Sequence, residues 1–276
     1  MKRKFLKYID SLKKKGIKEP LLEIQRFISE KFSIPLVDVI TGDFEFTPEI
    51  AKELETFVKK RADGIPYAYI LGFTHFWGRK FFVSPDVLIP RPETEVIVDF
   101  VLKKFGNGFK GKILDCCTGS GNIAISLALE MPEAVVFASD ISIKALNIAR
   151  KNAENLNANI SLINCDKLNC LKAHSIDIIL ANPPYIGLSE KYSLEREVLN
   201  EPHIALFGGD KGYEFLEEFL NKAVLIVKEK GIIVFEIGYN QRKEVESLTR
   251  EIFKKSDIYF LKDLNGHFRV GVIENA

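Results

Sequence analysis

The chain has little of what builds a metal centre or a disulfide framework. Its four cysteines are Cys116, Cys117, Cys165 and Cys170, and none forms a C-x-x-C pair. No histidine pattern completes a zinc site around them. They read as free buried thiols in a reducing cytoplasm. Long apolar runs are missing too, so no segment is suited to span a bilayer. The basic start, Met1 to Lys15, lacks the apolar centre of a signal peptide. An excess of one charge is also lacking, with 39 Lys and Arg against 38 Asp and Glu. A near-neutral chain is a poor candidate for broad, salt-driven nucleic-acid binding, which leaves local patches only. There is no internal repeat and no low-complexity tract. The 276 residues are enough for two domains and a sizeable core.

What is present divides by pattern. From Lys2 to about Gly72 the chain reads as helical throughout. Phe5, Leu6, Ile9 and Leu12 form one apolar face with lysines opposite, and Leu21, Leu22, Ile24, Phe27 and Ile28 form a second. Thr47 is an N-cap followed by Pro48 at the first helical position, and Lys59, Lys60 and Arg61 close that helix before Gly64. A short helix follows Pro66. This small bundle holds no catalytic cluster, so it is a scaffold or it recognises a partner. Phe73 to Val83 is aromatic and turn-rich, a hairpin-like connector. Ser84 to Glu95 then carries three prolines in a charged stretch, which is either the wall of a cleft or a stiff linker.

The remainder alternates strands and helices. Strands are expected at Lys112 to Cys116, Val135 to Ser139, Ile160 to Asn164, Ile176 to Ala181 and Gly231 to Ile237, with two short ones closing the chain. Helices are expected at Asn122 to Glu130, Ser142 to Asn155, Tyr213 to Lys228 and Gln241 to Phe253. Alternation of this kind implies an α/β fold with a mostly parallel sheet covered on both faces.

Two stretches carry chemistry. Asp115-Cys116-Cys117-Thr118-Gly119-Ser120-Gly121 lies between a strand and a helix, and Asp140 ends the next strand. Glycines in such a turn let a ligand approach the backbone, and an acid at that place accepts hydrogen bonds from ribose hydroxyls. Ala124 stands at the third glycine of a dinucleotide fingerprint, which disfavours a dinucleotide. The second stretch is Ile178 to Tyr185, an apolar run that stops at Asn182-Pro183-Pro184-Tyr185. Two prolines cannot continue a ladder, and Pro183 holds Asn182 in extended geometry. The Asn182 amide, nearby carbonyls and the Tyr185 ring suit a planar group bearing an NH2, either an amide or an exocyclic amine. Asn-Pro and Pro-Pro are also ordinary turn formers.

Together these residues resemble an S-adenosylmethionine-dependent methyltransferase acting on a planar nitrogen. Ser84 to Glu95, Glu201-Pro202 with Ala205-Leu206 and Gly208-Gly209, and Glu236-Ile237-Gly238 with Gln241 narrow the resemblance. They are similar to the release-factor glutamine methyltransferases, the HemK-like proteins. Asn-Pro-Pro-Tyr alone is shared with DNA adenine methyltransferases, so the proline-rich Ser84 to Glu95 stretch discriminates. The resemblance implies a class I methyltransferase-like, seven-stranded, mostly parallel sheet with a small N-terminal helical bundle. It implies a helical substrate-recognition domain over 1–72, a connector over 73–92 and an S-adenosylmethionine-dependent methyltransferase domain over 93–276.

The implied reaction methylates the side-chain amide of the glutamine in the Gly-Gly-Gln motif of peptide chain release factors. Cys117, Thr118, Gly119, Ser120 and Gly121 would hold the methionine portion of the cofactor and Asp140 its ribose. Asp166 and Lys167 would lie near the adenine. Asn182, Pro183, Pro184 and Tyr185 would hold the glutamine, with Asn182 also near the cofactor. No strong base appears beside Asn182, and a neutral amide need not lose its proton before attack. Cys117 stands where the family has glycine, Lys167 where it has an aromatic, and Phe268 where it has an acid. An adenine-specific nucleic-acid methyltransferase is the alternative. It needs a basic groove for phosphates, whereas acids outnumber bases from Glu190 to Glu201. A non-catalytic adapter and a dinucleotide oxidoreductase complete the alternatives.

Overall fold

The computed structural model describes residues 2–275. Met1 and Ala276, where the expected domain limits fall, lie outside the described residues. The chain forms two compact units, one of Met1–Phe73 with Glu195–Asn200 and the other of Thr74–Leu194 with Glu201–Ala276.

The first unit is built from α1 (Lys2–Lys13), α2 (Pro20–Phe32), α3 (Leu36–Thr41), α4 (Pro48–Ala62) and α5 (Tyr67–Leu71). The expected cap is present: Thr47 Oγ1 accepts from the Ile50 amide at 3.3 Å, at the N-terminus that Pro48 opens. Phe5, Leu12, Ile24, Ile28, Leu54 and Phe57 are fully buried between the helices, and Phe27 stacks on Phe57 with centroids 4.3 Å apart. The chain is not helical throughout, because Ser33, Gly42 and Gly72 close their helices in left-handed conformations. Glu195–Asn200 comes from far along the sequence. It delivers Glu197 to the Arg61 guanidinium at 2.8 Å, which Glu23 also grips at 2.8 Å, and leaves Arg61 only 3% exposed. A buried guanidinium needs such partners, because desolvation of an unpaired charge is costly.

The second unit opens with a hairpin of β1 (Phe73–Phe76) and β2 (Arg79–Phe82) and continues as α6 (Glu95–Phe105), β3 (Lys112–Cys116), α7 (Asn122–Glu130), β4 (Val135–Asp140), α8 (Ile143–Leu156), β5 (Ser161–Asn164) and β6 (Ile176–Ala181). A short pair, β7 (Ile186–Gly187) and β8 (Phe207–Gly209), is separated by α9 (His203–Leu206). The chain ends with α10 (Glu214–Ile226), β9 (Val227–Glu236), α11 (Arg242–Ile252), β10 (Asp257–Lys262) and β11 (Phe268–Glu274). The expected seven-stranded sheet is present, in the order β10-β11-β9-β6-β3-β4-β5. From β9 to β5 it is parallel, and β10 and β11 are antiparallel.

Alternation along the central strands divides the core. Ile178 and Leu180 of β6 join residues of α6 and α7, whereas Ile179 and Ala181 join residues of α10 and α11. Helices therefore cover both faces. Most boundaries shift by a residue or less, and the larger difference is that α10 ends at Ile226, not Lys228, and β9 starts at Val227, not Gly231. Val227 is already paired with Ile176 of β6. That ladder contact overrides a local sequence that reads as helix.

Ile179 is wholly buried at the centre of β6. Ile179→Ala should lower the unfolding free energy by about 2–5 kcal/mol, the range for a buried aliphatic truncated in place. Urea denaturation with an unchanged slope is the measurement. A loss under about 0.5 kcal/mol would mean the strand is not part of the cooperative core.

Candidate active site

The sheet changes direction of growth at β3. From there the chain adds β4 and β5 on one side, and β6 and β9 on the other. Crevices form at such switch points beyond the carboxyl ends of the strands. Cys116 of β3 sits opposite Ala181 of β6 in the parallel register. The next residues, Cys117 and Asn182, therefore leave the sheet side by side. A cavity of about 420 Å³ opens there.

One wall is the glycine turn. Cys117, Gly119 and Gly121 all have positive φ, at 60°, 54° and 82°. Cys117 thus takes a backbone conformation that suits glycine, at a cost of about 1–2 kcal/mol for a residue with a Cβ. Asp115 organises the turn from beneath. Its Oδ2 accepts from Thr118 Oγ1 at 2.5 Å and from the Ala124 amide at 3.2 Å. Asp140 braces the turn from β4, accepting from the Gly119 amide and the Ser142 amide at 2.9 Å each. Its oxygens keep further lone pairs for a ligand hydroxyl. Cys117 to Ser120 and Asp140 line the cavity, but Gly121 is not on its wall. A Cβ on Gly121 would press on Ile125 and Ala149, so this glycine serves the packing of α7 on α8.

The opposite wall is the end of β6. Asn182 and Pro184 line the cavity, while Pro183 and Tyr185 are not on its wall. Asn182 Nδ2 donates to Thr94 Oγ1 at 3.2 Å, and Thr94 donates to Glu236 Oε2 at 2.6 Å. Asn182 Oδ1 is buried and has no partner. The Tyr185 phenol donates to Glu236, and its carbonyl accepts from Gln241 Nε2 at 2.7 Å. Gly208 lies so close to the Pro184 carbonyl that no Cβ would fit. Sequence reading finds no base beside Asn182; the structure puts a carboxylate one hydroxyl away.

The third wall settles the role of the proline-rich segment. Asp86, Val87, Leu88 and Pro90 line the cavity, so the segment is a cleft wall. Buried Glu201 anchors it, accepting from the Ile89 amide at 3.0 Å and pairing with Arg91. Asp166 and Lys167 also line the cavity. Lys167 does not replace the expected aromatic alone: its Nζ lies 4.7 Å from the Phe215 ring centre and 2.9 Å from Glu218. Phe215 and Ile141 are wall residues that sequence reading missed. Ile141 follows Asp140 directly, and that position was the available signal. Phe215 has no local signal, because only the fold brings α10 to the site. The cysteines also differ from expectation. Cys165 and Cys170 form a disulfide whose loop contains Asp166 and Lys167, whereas Cys116 and Cys117 are free. Their positions flanking one tight turn bring the two sulfurs together. Among the described residues no cluster of side chains could hold a metal ion.

Burial governs the electrostatics. It pushes the Asp115 carboxyl up to about 7 against the bonds from Thr118 and Ala124. It pushes Glu236 up to about 7 against those from Thr94 and Tyr185, and it raises Asp140 as well. A carboxyl raised by folding adds stability that is full below its unfolded value and is lost as the pH climbs through its folded one. For Asp115 that window runs from 3.8 to about 7. Thermal midpoints of the wild type should therefore fall between about pH 4 and 7 and level off above that. In Asp115→Asn the slope should shrink, as read by circular dichroism. An equal slope in both proteins would show that Asp115 ionises normally.

Known proteins share these features. Residues 94–211 match the methyltransferase small domain family, and residues 6–72 match the PrmC N-terminal domain family. A solved methyltransferase from Pyrococcus furiosus aligns over 78% of this chain and 98% of its own, with a TM-score of 0.54 and 20% identity. The ribosomal protein L11 methylase of Lactobacillus delbrueckii subsp. bulgaricus aligns over 70% and 84%, with a TM-score of 0.50 and 22% identity. These likenesses speak for the class I methyltransferase fold. The release factor glutamine methyltransferase of Bacillus subtilis is 42% identical over 219 residues, 77% of this chain and 76% of its own. That of Caulobacter vibrioides is 35% identical over 265 residues, 95% and 91% of the two chains. With relatives this similar over most of its length, the chain belongs to the release factor glutamine methyltransferase family.

Proposed function

We propose that this protein transfers a methyl group from S-adenosylmethionine to the side-chain amide nitrogen of the glutamine in the Gly-Gly-Gln motif of peptide chain release factors. The observation that carries this reading is Asn182, a residue of the cavity wall whose buried side-chain oxygen has no partner. An orphaned acceptor in such a place calls for an N–H from a ligand, because leaving it unpaired costs about 1–3 kcal/mol. An amide NH2 supplies one.

The cavity suits the cofactor. Asp140 has lone pairs for ribose hydroxyls, and the turn from Cys117 to Ser120 lines the space for the methionine portion. Val87, Leu88, Ile141 and Phe215 offer apolar surface for a flat base, with Asp166 and Lys167 at its edge. When bound, the cofactor supplies a methyl group on a sulfonium, which is electrophilic without further activation. The chain's own task is to place the acceptor. Asn182 Oδ1 takes one amide hydrogen, and the Pro183 carbonyl, behind the cavity wall, takes the other once the acceptor is seated, which turns the nitrogen toward the methyl. Pro183 and Pro184 keep that geometry stiff. Tyr185 is held by Glu236 and Gln241 and packs behind the clamp, excluding water. The neutral amide nitrogen forms the bond to the methyl while the bonding pair stays with the sulfur, and the extra proton then passes from nitrogen to water, so no base has to act first. Such positioning supplies roughly 7–11 kcal/mol when the reacting atoms are well aligned.

The helical unit is assigned to recognition of the folded release factor, since it has its own core and no part in the cavity. The acidic balance from Glu190 to Glu201 repels a phosphate backbone. Nucleic acid is therefore not a stable partner. No helix of the described residues is long and apolar enough to cross a membrane, and a translation factor as substrate places the reaction in the cytoplasm.

Mass spectrometry of a release factor incubated with the protein and cofactor should show a gain of one methyl on the Gly-Gly-Gln glutamine. There should be none when that glutamine is replaced by alanine. Labelling of the alanine form, or of adenine in DNA, would overturn the assignment. Asn182→Ala should keep cofactor affinity within about threefold by calorimetry and lower kcat by on the order of 100-fold or more. Loss of both together would make Asn182 a structural residue and remove the clamp.

A further inference from the structure

Asn182 is useful as an acceptor clamp only if its side-chain amide is the right way round. An Asn amide is nearly symmetric in shape, so sterics alone choose poorly between the two orientations. Something must hold Oδ1 toward the acceptor and Nδ2 away from it.

The structure assigns that task to Thr94 and Glu236: they form a positioning relay that fixes the orientation of the Asn182 amide. The inference rests on the reading that Asn182 holds the acceptor. Glu236 lies at the end of β9 and Thr94 immediately before α6, 142 residues apart in sequence. Each is 1% exposed. An ionised carboxylate can only accept, so the one hydroxyl proton of Thr94 goes to Glu236 Oε2, 2.6 Å away. The Thr94 oxygen is then left as an acceptor, and it takes the hydrogen bond from Asn182 Nδ2 at 3.2 Å. With Nδ2 committed, Oδ1 is the side-chain atom left without a partner, on a residue of the cavity wall. Turning the amide over would set Oδ1 against a Thr94 oxygen whose proton is already spent. It would also present an N–H donor to an acceptor group that is itself a donor. Both mismatches disfavour the flip, since an unmet buried polar group is costly.

The relay has a built-in dependence on protonation. A neutral Glu236 can itself donate to Thr94, which frees the Thr94 proton and removes the reason for one orientation. Burial holds the Glu236 carboxyl up at about 7, so this change falls near neutrality. The charged and titratable groups around Glu236 are few. The Tyr185 phenol donates to it from the chain after β6. Glu93, next to Thr94, opposes its ionisation. Arg269, beginning β11, favours ionisation while paired with Asp263 at 3.1 Å. Arg91 acts on Tyr185 and is paired with Glu201. Turnover should therefore rise with pH through about 7 as Glu236 ionises.

The test compares Thr94→Val, Thr94→Ser and Glu236→Gln with the wild type, using the full chain, S-adenosylmethionine and a release factor. Thr94→Val keeps the shape and removes the hydroxyl. Its kcat should drop on the order of 30-fold with cofactor affinity unchanged, the scale of one buried hydrogen bond. Thr94→Ser restores the hydroxyl and should recover kcat to within about threefold. Glu236→Gln should flatten the acidic limb of the kcat profile. A readout independent of turnover is the side-chain amide resonance of Asn182, assigned by its loss in Asn182→Ala. It should titrate near neutrality in the wild type and not in Glu236→Gln. Wild-type kcat in Thr94→Val, or the same titration in Glu236→Gln, overturns the relay. If Thr94→Val does not fold, the Glu236→Gln titration decides. A wild type that binds cofactor but methylates no release factor defeats the functional reading instead, and the amide titration still decides the relay.

Discussion

The structure depends on one register. In a parallel pair each side chain's face is set by alternation, so a slip of one residue turns every side chain over. β3 and β6 meet with Cys116 opposite Ala181 and Leu114 opposite Ile179. That pairing sends Ile179 and Ala181 to the α10 and α11 side and Ile178 and Leu180 to the other. It also brings the glycine turn and Asn182 out of the sheet at the same level. A slipped β6 would exchange the residues that pack against the two helix layers and move Asn182 off the cavity at the same time. Stability and catalysis thus select the same alignment, and the two prolines stop the strand where that alignment is needed.

Around this alignment lie buried polar side chains that tie loops down rather than react. Asn152 on α8 is fully buried. It accepts from the Phe82 amide at 2.7 Å and donates to the carbonyls of Phe82 and Ser120 at 3.0 and 2.9 Å. One side chain thereby joins the hairpin to the glycine turn. Asp115 does the same within the turn, and Glu201 does it for the proline-rich wall. Satisfied networks of this kind rigidify, because losing one member strands the others in a dry interior. A site that works by positioning needs that stiffness more than it needs a reactive group.

How much was legible follows from where each signal resides. β3, α7 and β6 stand at the residues their patterns predicted, and Thr47 and Ser142 cap the helices they were expected to cap. These are local signals, and local chemistry decides them. Val227 was misplaced because its state is decided by a partner fifty-one residues away. The pair β7 and β8 went unseen since two or three residues carry no period. Asn182 was readable from its prolines. Its orientation was not, because it depends on Thr94 and Glu236, which no spacing rule connects. The Cys165 and Cys170 pairing was missed for the opposite reason: composition argued for free thiols, and geometry within one turn brought them together.

The Glu195–Asn200 segment has a consequence for how the chain is made. A ribosome releases the five N-terminal helices long before it reaches Glu197, 136 residues after Arg61. At about 5–20 residues per second that interval is on the order of ten seconds. Over that time the Arg61 guanidinium has Glu23 but lacks its second carboxylate. The helical unit is therefore discontinuous in sequence and is completed only after most of the sheet has emerged. The first unit to be synthesised is thus closed by a segment made after β6, and of the seven-stranded sheet only β9 to β11 follow later.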